Sequence, residues 1–486
     1  MSTPTWAELV WAVDHDGAAL KRAVDRGNLV RLGSGIYTGE VTNGPASVVK
    51  RHLLEILAHE LPGAVIVGRS ARAGGVAIDG VLSVAHNRRR PLNLIGIAIH
   101  PVPGPSALDG DMQLPRGVFL ASEARTMLDS LTKPGPPRLS VDEVEIWIDE
   151  LCAQGGARRL NALRDLAGAL APAMRSRRSL SQLHRLIAAA LTTGDKRVPR
   201  TPELRARATG EPFDQTRLRR FAALVDSLQA TAPRSVPDSP ADAPRRTFLP
   251  FYEAYFSNFI EGTEFTLREA ERIVFKGEIP GDRPADAHDV AGTYSVVGDP
   301  TRCREVAASS DAFVDILRRQ HAEVMGGRPD KRPGEFKHLP NRAGASEFVL
   351  PEMVEGTLRR AFNVGVDLFD PLQRATYLMF VVAEVHPFLD GNGRVARIAM
   401  NAELSAGGQV RLVIPTVFRL NYIASLKAAT QSDAFAPMIA VLDFAQRYTA
   451  RVDFSTMASA EADLDRTHAF RDPYDAEQAG LRLQLP

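Results

Sequence analysis

One twelve-residue run leaves its part of the chain few ways to fold: His386-Pro387-Phe388-Leu389-Asp390-Gly391-Asn392-Gly393-Arg394-Val395-Ala396-Arg397. Pro371 to Val385, just before it, is largely apolar. Leu372, Ala375, Met379 and Val382 fall at core spacing with Leu378 and Ala383 beside them, so a helix is expected there. Pro387 disfavours helical geometry in the residue before it, which puts His386 at the helix end, facing a loop. Gly391-Asn392-Gly393 lets the backbone take positive φ and turn N–H groups inward. Arg394 to Ala406 reads as the next helix, stopped by Gly407-Gly408.

A glycine loop that opens a helix N-terminus is a ready anion site. Arg394 and Arg397 are i and i+3, and helical side chains lean toward the N-terminus, so both can reach that anion. Asp390 places one carboxylate where a hard Mg²⁺ would bridge phosphates. His386 is the nearby group able to take a proton near neutral pH. Phe388 is expected to anchor the loop in the core. A base, a metal carboxylate, an anion nest and two arginines describe a phosphoryl- or nucleotidyl-transfer site.

The run resembles the motif of the Fic (Fido) family, His-x-Phe-x-Asp/Glu-Gly-Asn-Gly-Arg-x-x-Arg, and matches it at every fixed position. The resemblance implies a mainly α fold: an all-helical Fic core with a small β-hairpin flap. It also implies a protein adenylyltransferase moving AMP from Mg·ATP to a Tyr, Ser or Thr hydroxyl of a target protein of unknown identity. By that likeness His386 deprotonates the hydroxyl and Asp390 holds Mg²⁺. Gly391, Asn392 and Gly393 cradle the phosphates, Arg394 contacts them, and Arg397 binds the γ-phosphate. A related phosphorylating branch has Lys at the position of Gly393, which favours AMP transfer here.

Gly334 to Arg342, continuing through Val349-Leu350-Pro351, is similar to the family's flap, an edge hairpin that holds the target by strand addition. Asn341 and Arg342 are either target contacts or plain turn residues. Ile414 to Phe418, with Tyr422, looks like the segment after the motif, and the likeness spans residues 247–450. Ser257-Asn258-Phe259-Ile260-Glu261-Gly262 resembles the inhibitory motif Ser/Thr-x-x-x-Glu-Gly/Asn, with Ser257 and Glu261 on one helix face. By likeness Glu261 pairs with Arg397 and draws it from the γ-phosphate. The reverse enzyme, removing AMP with Glu261 positioning water, is the alternative at the same site.

A chain of 486 residues is too long for one hydrophobic core. The segment 231–246, with Pro233, Pro237, Pro240 and Pro244, reads as an extended linker. The formal charge of +1 divides there into +7 for 1–230 and −6 for 231–486, which excludes only a uniform field. Ala18 to Arg26 has helical spacing, with Leu20, Ala23 and Val24 inward, and Leu29 to Tyr37 reads as strand, glycine turn and strand. That pattern resembles the N-terminal winged helix of AbiEi-type antitoxins, and residues 44–132 resemble that family's second domain. The expected organisation is a winged helix-turn-helix at 1–43, an α+β domain at 44–132, a basic helical region at 133–230, the linker, the Fic domain at 247–450 and a tail at 451–486.

DNA bound through the winged helix is the partner this implies, and a DNA-binding, antitoxin-like regulator with a nucleotide-sensing Fic core is a further alternative. Homodimerisation is left open. Two distant cysteines, Cys152 and Cys303, allow no disulfide framework and suit a reducing cytosol. Trp6, Glu8, Trp11 and Asp14 stand where a signal peptide would have an apolar core, and Tyr377 to Val385 is too short to span a bilayer, so no membrane is expected.

Overall fold

The computed structural model describes residues 6–132, 135–232, 235–344 and 346–486. The chain divides into two compact units, Met1–Gly210 and Glu211–Pro486. The break falls where the helix Pro202–Thr209 ends on Gly210 in the left-handed region, φ 88°. Residues 211–230 hold three basic and three acidic side chains, so the +7 and −6 carry over to the two units unchanged. No described helix is long and apolar enough to cross a membrane.

In the first unit the described strands form a nine-stranded sheet. Its order is Val10–Trp11, Ile36–Thr38, Val30–Gly33, Leu92–Leu94, Ile97–Val102, Val81–Ala85, Val65–Ile66, Phe119–Leu120 and Met112–Gln113. The expected helix is present as Gly17–Asp25, capped by Asp16, and buries Leu20 and Ala23 but leaves Val24 exposed. The basic hairpin after it is not a separate body. Gly33 pairs with Leu94, so residues 1–43 and 44–132 share one sheet and one core of Leu32, Ile36, Val48, Leu82 and Ile99. Leu92 to His100 is two antiparallel strands, turned at Gly96 with φ 81°. Beyond it, Val141–Met174 is a long helix kinked at Gly156 and packed against Arg177–Ala190 through Ile148, Leu160, Leu163, Leu183 and Ile187.

The second unit is helical apart from a two-stranded hairpin, Arg342–Ala343 with Ser346–Glu347. Its centre is the helix Asn392–Ala406, the motif helix, which buries side chains on every face. That all-round burial marks a helix enclosed by others. Around it lie the base helix Pro371–Val385, the brake helix Leu249–Ile260, and the helices Pro284–Val297 and Ser310–Val324. The lead helix Gln215–Gln229, counted by sequence with the basic region, packs here instead. Its Phe221 is fully buried against Tyr377 and Phe380.

The Pro-rich segment was expected to be extended throughout, but Pro240–Arg246 forms a 3₁₀ helix; only the stretch before it pairs as a strand would, at Pro237 with Gln409, and it lies on this unit. Val236 accepts from the Val410 N–H (2.9 Å) and the Asp238 N–H donates to Gly408 (2.8 Å). A segment with little side chain to bury still carries backbone groups that seek partners. The tail also joins the core, with Ala460, Leu464 and Ala469 buried beside Phe454.

Candidate active site

His386 caps the base helix in the left-handed region, φ 52° and ψ 60°, and its N–H still closes the last turn on Val382 (3.0 Å). Pro387 explains this geometry, since its ring excludes a continuing helix. Phe388 is fully buried, worth about 1.5–3 kcal/mol, and fixes the loop as expected. Asn392 reaches back as a staple: its Oδ1 accepts from the Phe388 N–H (2.8 Å) and its Nδ2 donates to the Phe388 carbonyl (3.0 Å). Gly391 takes φ 74°, and a Cβ there would stand 2.7 Å from the Met325 sulfur. The motif helix starts without a side-chain cap, so its first N–H groups are open to an anion.

The two arginines have different partners. Arg397 donates from Nε to the Ser257 hydroxyl (2.9 Å), and from Nη2 to the Ser257 carbonyl (2.8 Å) and to Glu261 Oε1 (2.7 Å). Burial works against its charge, but Glu261 and Tyr422 outweigh it and its pKa is raised. Glu261 caps the brake helix and lies over the start of the motif helix. A Cβ on Gly393 would come within 2.2 Å of Glu261 Oε1. Arg394 instead pairs with Asp289, which also receives Arg328 Nε (2.9 Å) and is wholly buried. Burial pushes the Asp289 carboxyl up, with Arg394 and Arg328 pulling against it. Asn258 adds a longer contact to Arg394 (3.4 Å).

His386 stacks on Phe348, with ring centroids 3.8 Å apart and planes 5° from parallel. Its Nδ1 lies 3.3 Å from the Ala383 carbonyl. A carbonyl only accepts, so this bond places the ring proton on Nδ1 and leaves the Nε2 lone pair free. Burial holds the imidazole down to about 4. Asp390 is half-exposed, and its Oδ1 accepts from the Gly391 N–H (2.7 Å).

Sequence reasoning missed His321. This buried ring stacks on Phe388 at 3.7 Å, accepts the Gly334 N–H at Nδ1 (2.9 Å) and donates from Nε2 to the Asp390 carbonyl (3.1 Å). It joins the start of the flap segment to the loop. Two more flap residues do the same. The Lys337 N–H donates to Pro387 (2.8 Å), and Asn341 Nδ2 donates to Phe388 (2.9 Å). Lys337 Nζ reaches Asn341 Oδ1 (2.6 Å), and burial, with the charge of Arg217 adding to it, brings that amine down to about 7. Asn341 is thus occupied by the loop, whereas Arg342 is exposed. His386, Glu261, Gly393, Arg397 and Phe348 border a cavity of about 400 Å³.

Among the described residues no group of three or more His, Cys, Asp or Glu side chains is placed to hold a metal ion. Mg²⁺ is commonly held by one or two carboxylates with substrate phosphates and water completing the shell. A single half-exposed carboxylate, Asp390, beside an open helix N-terminus fits that pattern.

Residues 312–404 match the model of the Fic/DOC family. The chain carries a Fic/DOC domain. Protein adenylyltransferase fic-1 of Caenorhabditis elegans is 28% identical over 189 residues, 38% of this chain and 37% of the relative. Protein adenylyltransferase Fic of Nematostella vectensis is 28% identical over 234 residues, 46% of this chain and 53% of the relative. The chain thus spans between about a third and a half of the length of these curated relatives. Among solved structures, a fragment of Fic-1 from Caenorhabditis elegans aligns over 71% of this chain and 96% of its own, at 20% identity and TM-score 0.36. A Fic domain containing signalling protein from Bacteroides thetaiotaomicron aligns over 50% of this chain and 97% of its own, at 19% identity and TM-score 0.40.

Proposed function

We propose that the second unit is a protein adenylyltransferase, transferring AMP from Mg·ATP to a Tyr, Ser or Thr hydroxyl of a target protein and restrained by Glu261. The observation that carries this reading is the Arg397–Glu261 contact laid across Gly393 at the open end of the motif helix. In this reading His386 Nε2 takes the proton of the target hydroxyl, whose oxygen attacks the α-phosphorus, and pyrophosphate leaves. The N–H groups at Gly391, Asn392 and Gly393 cradle the phosphates. Arg394 contacts them, and Arg397, once freed, binds the γ-phosphate. Asp390 would hold Mg²⁺, which supplies neutralisation of phosphate charge. Such a site accelerates mainly by positioning and fixed charge.

The lowered pKa of His386 sets a pH dependence. The base works when neutral, so its function is retained above the folded pKa and lost as pH falls through it. With Glu261→Gly, kcat/KM for self-labelling should stay flat from pH 8 to 6, and an acid limb centred near the ordinary histidine value would contradict the assignment.

The first unit supports a second activity, nucleic-acid binding. No acidic residue occurs between Asp165 and Asp195. In that span Arg175, Arg177, Arg178 and Arg185 are exposed and, among the described residues, have no ion-pair partner. The hairpin strand carries the exposed Arg31, and the first helix adds Lys21, Arg22 and Arg26. Unpaired arginines suit phosphate contacts, whose affinity falls with salt. In gel shifts with duplex DNA upstream of the coding region, Arg177→Glu with Arg178→Glu should weaken binding roughly tenfold and flatten the salt slope. No shift by the unaltered chain at low salt would exclude this activity.

A further inference from the structure

The lead helix Gln215–Gln229 sends two arginines to one buried carboxylate. Glu384 is 1% exposed on its side chain and lies two residues before His386. Arg220 Nη1 donates to its Oε1, Arg217 Nε stands 2.9 Å from the same oxygen, and the Thr430 hydroxyl donates to Oε2 (2.7 Å). The two arginines then diverge. Arg220 Nε turns to Asp433 (2.7 Å). Arg217 Nη2 donates to the Glu347 carbonyl, in the second strand of the hairpin. The next residue after Glu347 is Phe348, the ring stacked on His386.

One guanidinium therefore holds the two pieces of chain that set the imidazole: the end of the base helix, through Glu384, and the strand that carries the stacking ring, through Glu347. We infer that Arg217 is a positioning residue for His386 and for the hairpin, acting through Phe348 and touching no reacting atom. Arg suits the task because one guanidinium nitrogen donates to the carbonyl while the delocalised charge, through Nε, faces the carboxylate as an ion pair, which a lysine point charge cannot do at both places. The buried carboxylate keeps Arg220 and Thr430 when Arg217 is removed, so the fold is not left with an unpaired buried charge.

The inference rests on the reading of His386 as the base, and its test separates the two. Arg217→Met and Arg220→Met are compared in the Glu261→Gly chain. Both delete a cation from Glu384, but only the first releases the hairpin. Expected for Arg217→Met is a tenfold or greater fall in single-turnover self-labelling with α-labelled ATP, with the KM for ATP held within about twofold. Its acid limb should also rise toward the ordinary histidine range, because an unstacked His386 regains water. The groups whose charges bear on that ring are Lys337, Glu261 and Asp390. Glu261 is absent from both variants alike, and loss of Arg217 also relieves Lys337 of a neighbouring cation, which favours its charged form and opposes the expected rise. Arg220→Met should leave the limb in place, and Arg217→Lys should not restore the rate.

Equal losses in the two methionine variants with an unmoved limb would overturn the inference, leaving Arg217 a structural residue. If the Glu261→Gly parent labels nothing, the adenylyltransferase reading fails instead. Arg217 is then decided by ring NMR titration of His386, assigned with His386→Asn. An upward pKa shift in Arg217→Met alone supports it, and identical titrations in both variants refute it.

Discussion

Purified Glu261→Gly protein is expected to label itself from α-labelled ATP between about tenfold and a hundredfold faster than the unaltered chain. The range follows from the contact removed. A hydrogen bond to a charged group is worth roughly 1.5–3 kcal/mol, and the Glu261 carboxylate, itself partly exposed, makes one to the buried Arg397 at 2.7 Å. Glycine also clears the space over Gly393, which Glu261 Oε1 now occupies. Arg397 keeps its two bonds to Ser257, so its guanidinium stays near the phosphate end and only the competing anion is lost. The measurement is the initial rate of label incorporation at saturating Mg·ATP. Equal rates in the two proteins would remove Glu261 from any inhibitory role.

His386→Ala in the same background should reduce that rate by roughly 10²–10⁴-fold, the contribution of a positioned general base. ATP affinity should change little, because the phosphate end is built from Gly393, Arg394 and Arg397 and not from the imidazole. The fold should persist. His386 is a cap whose backbone makes the last helical bond, and Pro387 holds the turn whatever the side chain. Undiminished labelling would place the proton acceptor elsewhere. Loss of ATP binding alongside activity would mean the ring supports the cavity and not the chemistry.

Local chemistry made the centre of the second unit readable. The base helix ends at Val385 because Pro387 follows, and Gly391 turns with positive φ because glycine adopts that conformation without a Cβ penalty. Those causes sit within a few residues of their effects. What escaped were partners brought in from far along the chain. Asp289 for Arg394, and His321 for the Asp390 carbonyl, lie 105 and 69 residues from what they hold and belong to no periodic pattern. Arg217 and Arg220 fall in the stretch read only as a basic helical region, with no partner assigned to either. Their carboxylate, Glu384, reads in sequence only as an interruption of an apolar stretch, so nothing local pairs it with them. In the first unit the hairpin at Val30–Thr38 was legible from its glycines. Its merger with the next domain's sheet hangs on one pairing, Gly33 with Leu94, which no local signal announces.

The placement of the lead helix decides where the catalytic half could be cut free. A fragment begun at Thr247, just after the proline-rich stretch, would lose the cover over Tyr377 and Phe380, both arginines of Glu384, and the strand-like pairing at Gly408–Val410. It would present an oily flank to solvent and leave Glu384 without either of its cations, with only the Thr430 hydroxyl beside it. The compact unit that holds the site starts at Glu211, so the proline-rich stretch is part of that unit and no tether to it.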